Sequence, residues 1–152
     1  MSVNAKPDGY HTITAYLIVE GAAELIAFLR AAFGARELFR LCASNGAIGH
    51  AEIEIGDSRV MISDATPEHR PVTAMLHLYV ENADTAWRKA VEAGATALQE
   101  PSDQFYGDRS GGVKDRFGNI WWVATHVEDV PPDQMEQRAR AAGYRTEAGS
   151  EP

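Results

Sequence analysis

The sequence predicts an α+β fold built from two βαβββ units in tandem. Three observations point to it. Strand-like and helix-like segments follow the same order in both halves, the halves superpose at an offset of about 61 residues (Tyr16 onto His77), and a proline-bounded linker separates them.

The first unit opens with residues 12–20, TITAYLIVE, whose β-branched and aromatic residues read as a strand. In GAAELIAFLRAAFG, Leu25, Phe28, Leu29, Ala32 and Phe33 fall on one helical face. Gly34 stops that helix, because glycine takes the left-handed conformation at no steric cost. Residues 35–43 alternate loosely and 51–56 cleanly, and Asp57-Ser58 turns the chain into a strand over 59–64. Pro67 and Pro71 bound the linker. The second unit repeats the order: a strand over 73–81, a helix with a stripe of Ala83, Ala86, Trp87, Ala90 and Gly94, and a strand over 95–100. A Gly-rich stretch, a turn at 116–119 and a closing strand over 120–127 follow.

The overlay is specific in its details. Tyr16–Glu20 lies on His77–Glu81, Ala22 on Ala83 and Ile26 on Trp87. One residue is then lost, Gly34-Ala35 falls on Gly94-Ala95, and Val60-Met61-Ile62 falls on Trp121-Trp122-Val123. The chain therefore divides into a lead (1–10), one domain of two units (11–66 and 73–129), an accessory helix with a thin apolar face (130–143) and a tail expected to be disordered (144–152).

Composition narrows the function. With 152 residues, 45% hydrophobic and 24% charged, the chain suits one soluble domain with a sizeable core. The single cysteine, Cys42, excludes an internal disulfide framework, and the first residues lack the apolar stretch of a signal peptide. A cytoplasmic location is the expectation. The net charge of −8, with Lys and Arg scattered, opposes a nucleic-acid partner and an anionic membrane surface.

Several stretches resemble one family. VENADTAWRKAVEAGA, DRFGNIWWVATHVED, and HAEIEIGDSRVMISD together with FYGDRSGGVKDRFGN are similar to the vicinal oxygen chelate superfamily, the glyoxalase/bleomycin-resistance-like proteins. Arg116 stands where that family usually has a proline before its last strand. The resemblance implies two half-barrels enclosing a small-molecule pocket, and a homodimer. It also implies a metal in the catalytic members, held at four positions that fall here on Thr14, Met61, Met75 and Trp122. None is a suitable ligand for a divalent cation, so the expectation is no metal cofactor.

In place of a metal site, the pocket is expected to be lined by Thr14, Tyr16, Met61, Met75, His77 and Trp122, with Ser63 and Ala124 opposite Tyr16 and His77. The two methionines and Trp122 are read equally as core. His77 is a candidate acid or base, against a buried, hydrogen-bonded histidine. The stretch holding Phe105, Tyr106 and Arg109 reads as a lid, with Arg109 on a ligand or paired with Asp108 or Asp115. His50 reads as exposed polar edge, Asp64 as a turn cap, and His126 as an unpartnered surface residue. A relocated metal on His50, Asp64 and His77 is the alternative. The sequence thus supports metal-independent binding or sequestration of a small, partly aromatic molecule. The alternatives are a lyase or isomerase using His77, and a non-catalytic interaction domain.

Overall fold

A computed structural model describes residues 2–147; the predicted tail beyond 147 lies outside the described residues. The first unit contains β1 (Ala15–Val19), α1 (Ala22–Phe33), β2 (Arg36–Cys42), β3 (Ile48–Ile55) and β4 (Ser58–Asp64). The second contains β5 (Met75–Tyr79), α2 (Ala83–Glu92), β6 (Thr96–Asp103), β7 (Asp108–Lys114) and β8 (Ile120–His126), followed by α3 (Pro132–Ala141). Each unit forms a four-stranded mixed sheet, ordered β1-β4-β3-β2 and β5-β8-β7-β6. The two sheets do not close into one barrel. No helix among the described residues is long and apolar enough to cross a membrane.

The repeat holds at the level of register. Tyr16 pairs with Met61 in the parallel β1–β4 ladder, and His77 pairs with Trp122 in β5–β8, each 61 residues on. Glu52 opposite Met61 corresponds to Gly112 opposite Trp122, a shift of 60. The longer turn between β7 and β8 restores the lost residue.

Alternation along each strand sends one set of side chains to the helices and the other away from them. Leu17, Val19, Ile53 and Ile62 meet Leu25, Ile26 and Leu29 of α1 in a core that continues through Ala90 and Val113 to Trp121. The helices themselves pack on one another. Phe33 and Trp121, with ring centroids 5.5 Å apart, join the two units.

Equivalent residues tie each helix to its sheet. Asp64, the last residue of β4, accepts the N–H of Gly21 at 3.1 Å, Ala22 at 2.8 Å and Ile48 at 2.7 Å. Thr125, 61 residues later, accepts the N–H of Ala83 at 2.8 Å and donates to the Val80 carbonyl. Both cap a helix N-terminus whose first N–H groups have no internal partner. Burial pushes the Asp64 carboxyl up, but the three N–H donors outweigh it and hold the group below the usual carboxylate range.

The 101–112 stretch departs from the sequence reading: Asp108–Lys114 is an inner strand, not loop. Its glycines reflect crowding. A Cβ on Gly111 would lie 2.8 Å from the Gln99 carbonyl oxygen and from the Pro101 nitrogen. The strand over 51–56 also starts earlier, at Ile48, running through His50. α3 lies on its own chain, with Ala139 buried, Arg138 paired with Glu128 at 2.7 Å and donating to the Phe105 carbonyl.

Asp64→Ala should lower stability by about 1–2 kcal/mol, and Thr125→Ala by about 1 kcal/mol, measured by urea denaturation. Because the folded Asp64 carboxyl is depressed, its contribution is present above the unfolded value of about 4. It is lost as pH falls through the folded value, so the Asp64→Ala deficit should shrink on acidification.

Candidate functional site

The helices cover one side of each sheet and leave the other open. On the first sheet the open side carries Tyr16 and Ile18 from β1, Phe39 and Leu41 from β2, His50, Glu52 and Glu54 from β3, and Met61 and Ser63 from β4. Tyr16, Phe39 and Leu41 are exposed there. His50 belongs to an inner strand, not a sheet edge as expected. Its Nδ1 lies 2.9 Å from the Tyr16 hydroxyl and its Nε2 3.2 Å from a Glu52 carboxylate oxygen. The Tyr16 and Phe39 rings flank the imidazole at 5.6 and 5.9 Å.

The N-terminal lead runs over part of this face. Tyr10 is buried, and the Arg59 guanidinium stacks on its ring at 4.8 Å. Gly9, with φ +82°, allows this approach, since a side chain there would meet the guanidinium. A hollow of about 460 Å³ lies between the lead and Glu52 and Met61. A second, of about 660 Å³, runs along Tyr16, Ile18 and Ser63 to the linker residues Thr66, Pro67 and His69. Burial pushes the Glu52 carboxyl up, yet Tyr10, His50 and Arg59 beside it more than offset this and place it below the usual range. Burial and the same carboxylate push the Tyr10 phenol up.

On the second sheet, Met75, His77 and Tyr79 project from β5 and are exposed, with Trp122 beside His77. The Trp122 ring lies against Gly112, where any side chain would collide with it. His77 is neither buried nor hydrogen-bonded among the described residues; its ring meets Tyr79 edge-on at 5.1 Å. This corrects the expectation of a buried, bonded histidine. Ile18 faces Ser63, and Tyr79 faces Ala124, so those opposite neighbours fall one step further along than expected. Thr14 precedes β1, and Met75 opens β5 at 66% exposure, which is not a core position.

Further along the same face, Tyr79 donates to Asp108 at 3.0 Å, and His126 bridges Asp108 and Asp129, both at 2.8 Å. His126 is thus partnered, contrary to the sequence reading, and Asp129 and Asp108 raise its pKa. A hollow of about 740 Å³ lies along β5 and the residues after it, from Leu76 to Glu81, and beside Thr14, Phe33 and Arg59. His77 and Tyr79 of the second face and Thr14 before β1 are among the residues that line it.

The proposed lid is absent as such. Residues 104–107 make a tight turn; Phe105 packs on Tyr106 and stacks on Tyr144, with centroids 5.3 and 5.9 Å away. Arg109 reaches α2 and pairs with Asp84 at 2.7 Å and Asp103 at 3.2 Å, not with Asp108 or Asp115. Asp115 is a buried hub that accepts from Trp121, Asn119 and Phe117.

The donor set does not fit a divalent cation. The residues side by side at the centre of the two faces are a phenol, a thioether, an imidazole and an indole, of which only the imidazole is an ordinary donor. Thr14 and Met75 add nothing stronger. His50, Asp64 and His77 are not brought together: Asp64 spends both oxygens on backbone N–H groups, and the histidines occupy different sheets. Among the described residues no three His, Cys, Asp or Glu side chains converge as an ion site.

Comparison with known proteins places this architecture. A profile of the glyoxalase/bleomycin resistance protein/dioxygenase superfamily matches residues 10–123. The chain belongs to that superfamily. An uncharacterised protein of Mycobacterium bovis is 32% identical over 156 aligned positions, covering 94% of this chain and 99% of the relative. Among solved structures, TioX from Micromonospora sp. ML1 superposes with a TM-score of 0.65 at 23% identity, covering 77% of this chain and 99% of TioX. A superfamily enzyme from Burkholderia phytofirmans PsJN gives 0.61 at 15% identity, covering 75% and 97%. At those identities the structures share the fold, which in this superfamily member presents the two open faces described above.

Two substitutions probe the second face. Gly112→Ala should displace the Trp122 ring, changing its fluorescence and near-ultraviolet circular dichroism at a cost of about 1–3 kcal/mol. His126→Gln should destabilise most below about pH 6, where histidine is charged in both states. Because the folded pKa is raised, the difference in Tm from the unmodified protein should fade as pH rises through that value.

Proposed function

We propose that this protein binds and sequesters a small, partly aromatic molecule without a metal, in the cytoplasm, as a homodimer whose second copy completes the pocket. The observation that carries this reading is the bare side of each sheet. Tyr16, Phe39, Leu41, Met75 and Tyr79 are 44–67% exposed there, a density of apolar surface that marks binding or association. Trp122, laid against Gly112, offers a flat surface for a planar ring. Thr14, Met61 and His77 supply the surrounding contacts, with Phe105 and Tyr106 farther out; Arg109, held on the helix side by Asp84, takes no part. The donor chemistry supports the absence of a metal role. β1 and β5 are edge strands, and unpaired edges are surfaces that a second chain can cover.

A second reading has one specific observation behind it. The exposed His77 imidazole, beside Tyr79 and free of hydrogen bonds among the described residues, is placed to act as an acid or base on a bound ligand.

Protein purified without chelator or affinity tag should hold well under one divalent ion per chain and should not be stabilised by added zinc, nickel or manganese. Stoichiometric metal with a clear rise in Tm would overturn the proposal. Sedimentation should give a dimer at micromolar concentration. Planar ligands found by tryptophan-fluorescence screening should lose about tenfold in affinity, or about 1.4 kcal/mol, in Trp122→Ala. If His77→Ala abolishes turnover of such a ligand while leaving its affinity, the second reading replaces the first.

A further inference from the structure

We propose that Tyr16, His50 and Glu52 form a proton-transfer centre on the open face of the first sheet, in which the Tyr16 hydroxyl meets the ligand. The inference rests on the reading of that face as a ligand surface, and goes beyond it by assigning chemistry to residues outside the family's metal positions.

Geometry sets the direction of the relay. Glu52 as a carboxylate only accepts, so the imidazole proton sits on Nε2, 3.2 Å from Glu52. Nδ1 is then the acceptor, 2.9 Å from the Tyr16 oxygen. Phenol, imidazole and carboxylate stand in the order of a nucleophile, its base and the group that orients the base. His50 and Glu52 are half-buried, whereas Tyr16 is 45% exposed, so the phenolic end is the one most open to a ligand.

The surroundings choose the ligand class. Ile18, Phe39, Leu41 and Met61 are apolar, and Glu52 already supplies negative charge. The centre therefore takes a neutral, largely apolar molecule bearing one acidic proton, an enolisable ketone or a phenol. As that proton passes to the Tyr16 oxygen, the tyrosine's own proton passes to His50 Nδ1. An imidazolium against Glu52 and a ligand anion result. The reverse transfer, to the same or a neighbouring ligand atom, restores the protein. No electrons change hands and no co-reactant is required.

The test uses benzenesulfonyl fluoride on the full chain, with labelled tyrosines mapped by peptide mass spectrometry. The Tyr16 oxygen–sulfur bond forms, fluoride leaves, and the proton goes to His50. Tyr16 should label at least about tenfold faster than Tyr79 and Tyr144, which are more exposed at 67% and 64%. His50→Gln should bring Tyr16 down to their rate. Glu52→Gln, which keeps an acceptor but removes the charge, should slow it severalfold, and Glu52→Asp should restore part of the loss. An anionic reagent, 4-carboxybenzenesulfonyl fluoride, should label Tyr16 more slowly than the neutral one. Tyr16 labelling no faster than Tyr79, or unaffected by both His50→Gln and Glu52→Gln, would overturn the relay; equal rates for the two reagents would overturn the ligand class. Should His50→Gln fail to fold, Glu52→Gln decides. The assay reads hydroxyl reactivity and not pocket affinity, so its failure is distinct from failure of the ligand screen.

Discussion

Packing of α1 and α2 against a single side of each sheet governs what the other side has to be. Strand alternation leaves no freedom: once Leu17 and Val19 are buried under Leu25, Ile26 and Leu29, Tyr16 and Ile18 must point the opposite way. The same holds for His77 and Tyr79 once Leu76 and Leu78 pack inward. Asp64 and Thr125 fasten this arrangement from the strand side, because one ends its strand, the other lies one residue before the end, and each accepts the first N–H of its helix. A one-residue slip in either strand would lose the cap and turn the apolar set to water together.

The two units share this scaffold and differ in what they display. Register equates Tyr16 with His77, Met61 with Trp122 and Glu52 with Gly112. The last pair shows how one position changes a face. Glutamate on the first sheet supplies a charge that orients His50, while glycine on the second makes room for an indole lying against the strand. One face is equipped for polar chemistry and the other for stacking. Farther along the second face, the clamp of Tyr79, Asp108 and His126 is internally satisfied and ties the end of β8 to Asp129 in the chain leading to α3.

The sequence revealed the repeat and ten of the eleven elements of the described residues, because these depend on periodicity and residue type. β7 escaped because Gly107, Gly111 and Gly112 mimic a loop, when the last two mark close approach of a neighbouring backbone and of Trp122. The partners of Arg109 were missed for a tertiary reason: Asp84 sits on α2, and no local spacing brings the two together. The relay left a weaker trace. His50 and Glu52 alternate on one strand, which was visible, but an exposed edge and an inner strand read alike until β2 is known to lie outside them. Tyr16 joins them from a strand 34 residues away in sequence, across β4.

Access completes the argument for asymmetry along the first face. The lead residues Lys6, Pro7, Tyr10 and Thr12 line one hollow together with Glu52 and Met61, and Tyr10 is buried. Tyr16 instead borders the separate hollow that runs past Ile18 and Ser63 to the linker. The carboxylate end of the relay is therefore less exposed than the phenolic end, Glu52 being half-buried and Tyr16 45% exposed. Partial burial strengthens the attraction between Glu52 and a protonated His50, since the interaction of two charges grows as the effective dielectric falls. The N-terminal lead thus contributes to the electrostatics of the first face as well as to its shape, because buried Tyr10 stands beside Glu52 and under the Arg59 guanidinium.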